Sequence, residues 1–292
     1  MSIHVAIPEP TSPQSVQDSA AYNLRSLPQY LHALRAAGAT PIPIPLHESP
    51  QRVAKILTTV QGILLPGSPA DIDPQKYGHP VNPHSAPPDP ARAAVDELLL
   101  QEAFNLHKPI LAICQGLQSL NTWCGGTLIQ DIPTEIGPKV QHAPDRTVLE
   151  AHPVQITPHT RLSALIPNDE EPKHGVPHIS PRFVRGDVGQ HNARPDALIP
   201  LHESPTHLYV NSSHHQAIRT PGDNLVVAAI SPEDNIIEAL ELASPQHFVL
   251  AVQWHPERTY DVSTFSRNIF HAFVHAAESW TPRRIEESVL QA

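Results

Sequence analysis

The chain has 292 residues, of which 40% are hydrophobic and only 16% charged. That length suits one large domain or two small ones and can bury a sizeable core. A formal net charge of −10 without basic blocks argues against nucleic acid and anionic membranes as partners.

The stretch "IHVAIP" (3–8) predicts a first strand. "LPQYLHALRAAG" (27–38) predicts a helix, with Pro28 in its first turn, Leu27, Leu31 and Leu34 on one face and Gly38 at its end. "TPIPIP" (40–45) is extended, because each proline disfavours helix before it. "GILLPGSP" (62–69) reads as a buried strand entering a Gly-containing turn. A helix follows over 89–108, with Val95, Leu99 and Leu106 on one stripe. "PILAIC" (109–114) is then a strand, and "QGLQSLNTWCGG" (115–126) a helix that stops at the glycine pair. The later half is richer in strands ("HLYVNS", "NLVVAAIS", "NIIEALEL", "FVLAVQW"), and the segment 263–278 returns to helix. Alternating strands and helices argue for an α/β fold with a mostly parallel central sheet flanked by helices, extended by antiparallel strands.

Residues 1–292 are expected to form a single domain, interrupted by a Pro/His-rich insertion or loop at 167–206 that lacks either hydrophobic period. The two cysteines, Cys114 and Cys124, are ten residues apart. On one helix that spacing is about 15 Å, too far for a disulfide. A reducing, cytoplasmic setting is the expectation, with no signal peptide and no membrane-spanning run.

Cys114 ends an apolar strand and is followed at once by a helix, the geometry of a nucleophile elbow. Such a turn needs small neighbours, here Ala112 and Gly116. The helix N-terminus is expected to lower the thiol pKa, and the Gln115 N–H to face a developing oxyanion. A thiolate needs a base, and the base an orienting group. In "FVLAVQWHPERT" (248–259) His255 follows a strand and Glu257 lies two residues on. A buried structural cysteine and a surface His–Glu pair are the bland alternatives for these two segments.

Together "LAICQGLQ" and "VQWHPE" resemble the nucleophile and His/Glu motifs of the class I glutamine amidotransferase superfamily. Three further stretches, "AGATPIPIP", "GILLPGSPADIDPQKYG" and "VNSSHHQAI", are similar to its γ-glutamyl hydrolase branch, the C26 peptidases with the γ-glutamyl-γ-aminobutyrate hydrolases of polyamine breakdown. The resemblance implies a flavodoxin-like fold and hydrolysis of a γ-glutamyl amide through a thioester. It makes Cys114 the nucleophile, His255 the base and acid, and Glu257 the orienting group. Gly67 and Gln115 would supply the oxyanion N–H groups. Gln118 would contact the glutamyl substrate, and Asn211, Ser212, His214 and His215 would edge its pocket. Ala112 stands where Gly is common in the family, Gln115 where Arg is frequent, and Ala93 where an Asp often follows the helix's Arg.

The partner implied is a small γ-glutamyl substrate, with a homo-oligomer left open. An amidotransferase subunit that feeds ammonia to a synthase is the alternative in the same chemistry. A non-catalytic binding or regulatory module is the alternative outside it. No cofactor is expected, and no metal, because no Cys or His spacing fits a zinc site with its three or four convergent ligands. No elbow surrounds Ser213, so the neighbouring His214 does not make a serine dyad with it.

Overall fold

Residues 2–167 and 206–282 are described by a computed structural model of the chain. The expected insertion falls, over 168–205, outside the described residues. The described strands are β1 (Ile3–Pro8), β2 (Ala39–Ile44), β3 (Gly62–Leu65), β4 (Ile110–Ile113), β5 (Thr127–Ile129), β6 (His152–Ile156), β7 (Thr206–Val210), β8 (Ala217–Thr220), β9 (Leu225–Ile230), β10 (Ile237–Leu242) and β11 (Val249–Val252). The helices are α1 (Ser19–Ala36), α2 (Pro50–Leu57), α3 (Pro90–Leu106), α4 (Gln115–Trp123), α5 (Ile132–Glu135) and α6 (Thr264–Glu278).

All eleven strands join one sheet, in the order β2-β1-β3-β4-β11-β10-β9-β6-β7, with β8 pairing β10 and β5 pairing β8. From β2 to β11 neighbours are parallel. From β10 outward they are antiparallel. The α/β expectation, with its antiparallel extension, holds. Strands β3, β4 and β11 are buried at every position, as a sheet covered on both faces requires. Successive residues serve opposite faces. Leu111 and Ile113 pack with Tyr30 and Leu34 of α1 and Phe273 of α6. Ile110 and Ala112 pack with Val53 of α2, Leu99 of α3 and Leu117 of α4.

One boundary departs from expectation. Helix α1 begins at Ser19, where the Asp18 side chain accepts from the Ala21 N–H, and Pro28 lies inside it. A proline there leaves the carbonyl four residues earlier without its donor. That residue, Leu24, is 78% exposed, so water can reach the carbonyl. Helices α2 and α5 and strands β5, β6 and β8 lie where the sequence reading named no element.

The topology places the site. Strands β3, β4 and β11 are adjacent and parallel, with Leu65 opposite Ala112 and Ile113 opposite Val252. Their C-terminal ends therefore deliver Gly67, Cys114 and His255 to one edge, where open α/β sheets hold their sites.

Candidate active site

Cys114 follows β4 directly and caps α4, with φ 55° and ψ −111°. A side-chain residue rarely takes that conformation, and where it persists the surroundings enforce it. The Cys114 N–H donates to Val252 O at 2.8 Å, which ties the elbow to β11. A Cβ on Gly116 would lie 2.3 Å from Leu65 O, so only glycine lets α4 start this close to β3. Burial pushes the Cys114 thiol up to about 12, against the charge of Arg258 and the Gln115 N–H that bonds the sulfur. The expected lowering by the helix N-terminus is therefore outweighed: with Cys114 only 5% exposed, the anion loses more hydration than the helix returns.

His255 stands just past β11. Its Nδ1 is 2.7 Å from Glu257 Oε1. The Asn211 amide clamps its backbone, accepting from His255 N at 2.9 Å and donating to His255 O at 2.8 Å. Burial pushes the imidazole down to about 4, although Glu257 pulls it up. Burial raises Glu257 as well, but His255 and Arg258 outweigh it and hold the carboxyl below its usual range. The resting trio is thus thiol, neutral imidazole and carboxylate. A carboxylate can only accept, so Nδ1 carries the imidazole proton and Nε2 is left as a base.

Gly67 joins these groups. A Cβ built on it would lie 2.9 Å from His255 Cε1 and 3.3 Å from Cys114 Cβ. Cys114 and His255 share a cavity of about 280 Å³ with Gln115, Gln118, His214 and His215. A larger cavity of about 420 Å³ lies alongside α3 and α4 and includes neither Cys114 nor His255 in its lining.

Other expected residues sit differently. The Gly67 N–H is engaged: it donates to the Tyr30 hydroxyl at 3.0 Å, which also lies 3.4 Å from His255 Nδ1. The turn itself is held from α3, where buried Arg92 donates to Pro66 O at 2.6 Å and to Asp96 at 2.7 Å. Gln118 lines the cavity while its amide donates to Gln216 O and Gln253 Oε1 at 3.1 and 3.2 Å. His215 lies between Asp71 and Asp131, at 3.0 and 3.3 Å, and the Asp71 hydrogen bond foremost raises its pKa. Asn211 and Ser212 do not line the cavity; Ser212 Oγ donates to His142 O at 2.6 Å. They hold the framework because their side chains turn toward backbone groups.

Among the lining residues without a role in the sequence reading are Tyr22, Arg146 and Arg258. The Arg258 side chain is 6% exposed, and its Nε and Nη1 have no hydrogen-bond partner. Its position directly after "HPE" was the available signal. Arg146 carried none. A cluster of His142, His152, His214 and Glu238 also forms behind the His214 wall, where the sequence spacing gave no metal-type set.

The family model for peptidase C26 matches residues 5–180 and 187–257. The chain belongs to the peptidase C26 family. It is 29% identical over 247 residues to Protein NtpR of Enterococcus hirae, covering 84% of this chain and 86% of that one. It is 31% identical over 256 residues to a Mycobacterium tuberculosis protein named "putative glutamine amidotransferase", covering 87% and 68%. The γ-glutamyl-γ-aminobutyrate hydrolase of Escherichia coli (strain K12) is 29% identical over 262 residues, 86% of this chain and 85% of that one. Among solved structures, a Thermoplasma acidophilum protein described as a "putative gmp synthase subunit a protein" has the same fold, with a TM-score of 0.55, 14% identity and 96% of each chain covered. The C26 chain is a glutamine amidotransferase-like hydrolase. Among its described residues no helix is long and apolar enough to cross a membrane.

Proposed function

We propose that the chain hydrolyses a γ-glutamyl amide with Cys114 as nucleophile, His255 as base and acid, and Glu257 as orienting group. The observation that carries this reading is the meeting of the Cys114 elbow and His255 in one cavity, with Glu257 holding the imidazole from behind. His255 Nε2 takes the Cys114 proton as the sulfur attacks the γ-carbonyl carbon. The Gln115 N–H, already at the sulfur, stabilises the oxyanion. His255 then gives the proton to the leaving amine, and a γ-glutamyl thioester remains. Water, deprotonated by His255, attacks the thioester carbonyl and releases glutamate and the thiol.

Gly67 supplies the second oxyanion N–H only when the Tyr30 hydroxyl withdraws from it. One such donor is worth about 3 kcal/mol. Arg258 lines the cavity, and its Nε and Nη1 make no short hydrogen bond, although Nε lies 3.7 Å from Glu257 Oε1. Its planar guanidinium matches a carboxylate fork and is the natural anchor for the substrate's α-carboxylate. A cavity of about 280 Å³ lies at the low end for small-molecule sites, which favours a glutamyl group on a small amine.

The test is a screen of γ-glutamyl amides for glutamate release, beginning with γ-glutamyl-γ-aminobutyrate, against the Cys114→Ala chain as control. Release by the wild type alone supports the reading. Release from glutamine that needs an added synthase favours the amidotransferase alternative, for which the relative named as such is the supporting observation. If a thiol-directed γ-glutamyl electrophile fails to label Cys114, the non-catalytic alternative takes over.

A further inference from the structure

Behind the cavity wall, four side chains from four segments converge. His142 comes from the loop before β6, His152 opens β6, His214 lies between β7 and β8, and Glu238 belongs to β10. One ligand-type atom from each lies within 4.8 Å of all the others. His142 Nδ1, His152 Nε2 and His214 Nε2 stand 3.3, 3.6 and 3.7 Å from Glu238 Oε1. All four side chains are at most 3% exposed. None of these three nitrogens and neither Glu238 oxygen makes a hydrogen bond of good geometry; the imidazoles only attract the Glu238 carboxylate, His142 and His214 most strongly. Buried polar atoms are rarely left so, and five facing one another need an explanation.

We propose that His142, His152, His214 and Glu238 bind one zinc-type divalent cation. With metal–ligand bonds of about 2.0–2.1 Å, the corners of a tetrahedron lie about 3.3–3.4 Å apart. The three carboxylate–imidazole separations sit at or slightly above that value. The outward ring nitrogens complete the pattern, because metal-bound imidazoles give their other N–H to a carboxylate or carbonyl. His142 Nε2 is 2.8 Å from Asp234 Oδ2, His214 Nδ1 is 2.9 Å from Gln216 O, and His152 Nδ1 is 3.2 Å from Pro153 O. Charge also balances: a dication, the Glu238 carboxylate and the Asp234 carboxylate sum to zero. Three imidazoles and one carboxylate suit zinc over magnesium or calcium, which prefer all-oxygen sets. Four protein ligands with no exposed face make the site structural, not catalytic.

Its effect would be on the active-site wall. His142 O accepts from His214 N at 2.8 Å and from Ser212 Oγ, and the next residues, Ala143, Pro144 and Arg146, line the cavity with Ser213, His214 and His215. The cation would pin the 142–146 loop and the 211–216 loop to β10, fixing one side of the cavity without touching substrate.

The test uses the full chain purified without a histidine tag and without chelator. Elemental analysis is expected to give one zinc per chain. The chain has twenty histidines, so stoichiometry alone does not locate the ion. Stripped protein is therefore titrated with cobalt(II), whose strong visible absorption reports a tetrahedral nitrogen and oxygen set. His152→Ala and Glu238→Gln should each lower zinc affinity by more than about a hundredfold, since even outer partners of ligands are worth ten- to a hundredfold. Their circular dichroism and the wild-type cobalt spectrum together separate lost binding from lost folding. A wild-type chain that gives no tetrahedral cobalt spectrum, or variants that fold and bind as tightly as wild type, overturns the proposal.

Discussion

In the parallel half of the sheet, chain direction gathers the reactive groups; in the antiparallel half, side-chain clamps do. Strands β3, β4 and β11 run the same way, so their ends bring Gly67, Cys114 and His255 together, with the Cys114 N–H bonded to Val252 O of β11. The antiparallel strands carry their ends to opposite edges, and there Asn211 must hold the His255 backbone and the histidine cluster must meet Glu238. On the proposed mechanism, the parallel half sets where the chemistry happens. The antiparallel half sets how firmly the imidazole and the cavity wall are held. Removing groups from each half should separate the two roles.

The largest loss is expected at the parallel side. Cys114→Ala should lower glutamate release by on the order of 10⁵-fold or more, as for other nucleophiles removed from a catalytic set. The melting temperature should change little, because Ala keeps most of the buried apolar contact. Glu257→Gln is the next in size, on the order of 10⁴-fold in kcat. The amide can hold the ring but cannot stabilise an imidazolium. Equal kcat in wild type and Glu257→Gln would remove Glu257 from the machinery and leave its 2.7 Å contact a structural one.

Legibility in the sequence follows the same division. The elbow shows because its demand is local: Ala112 and Gly116 must be small, and Gly116 lies against the Leu65 carbonyl. His255 and Glu257 show because they are two residues apart. The start of α1 was hidden because Pro28 reads as a first-turn residue, while an exposed Leu24 carbonyl tolerates it mid-helix. The engaged Gly67 N–H was hidden too, since its partner Tyr30 arrives from α1, 37 residues earlier. The four-residue cluster could not be seen at all. Its members are separated by strand pairings that only the folded sheet supplies.

Asn211 tests the antiparallel side directly. The resemblance put it at the substrate pocket, whereas its amide makes both hydrogen bonds to the His255 backbone. Asn211→Ala should lower kcat about tenfold with KM for the γ-glutamyl amide unchanged, and should cost about 1–3 kcal/mol in stability by leaving a buried N–H and carbonyl unpaired. A rise in KM at constant kcat would return Asn211 to the substrate.

The smallest expected effect is that of pH, and it follows from burial at the seam between the halves. The His255 imidazole is pushed down to about 4 and the Cys114 thiol up to about 12. The reactive form, neutral thiol with neutral imidazole, then fills the whole interval between them. kcat/KM should vary by less than about threefold from pH 5 to 8, and fall below that as His255 takes the proton it must instead accept from Cys114. A preformed thiolate–imidazolium pair would behave otherwise, losing activity with a midpoint between those limits. Stability moves separately and must be measured at each pH. The unfolded imidazole titrates near 6.5, above the folded value, so the unfolded state binds the proton first as pH falls. This contribution of His255 to stability is full above about pH 6.5 and is lost as pH drops towards 4. Denaturant melts that weaken across this window while kcat/KM stays level would assign the two effects to one buried ring. A rate that falls in step with stability would mean instead that the active fraction, and not the chemistry, is being titrated.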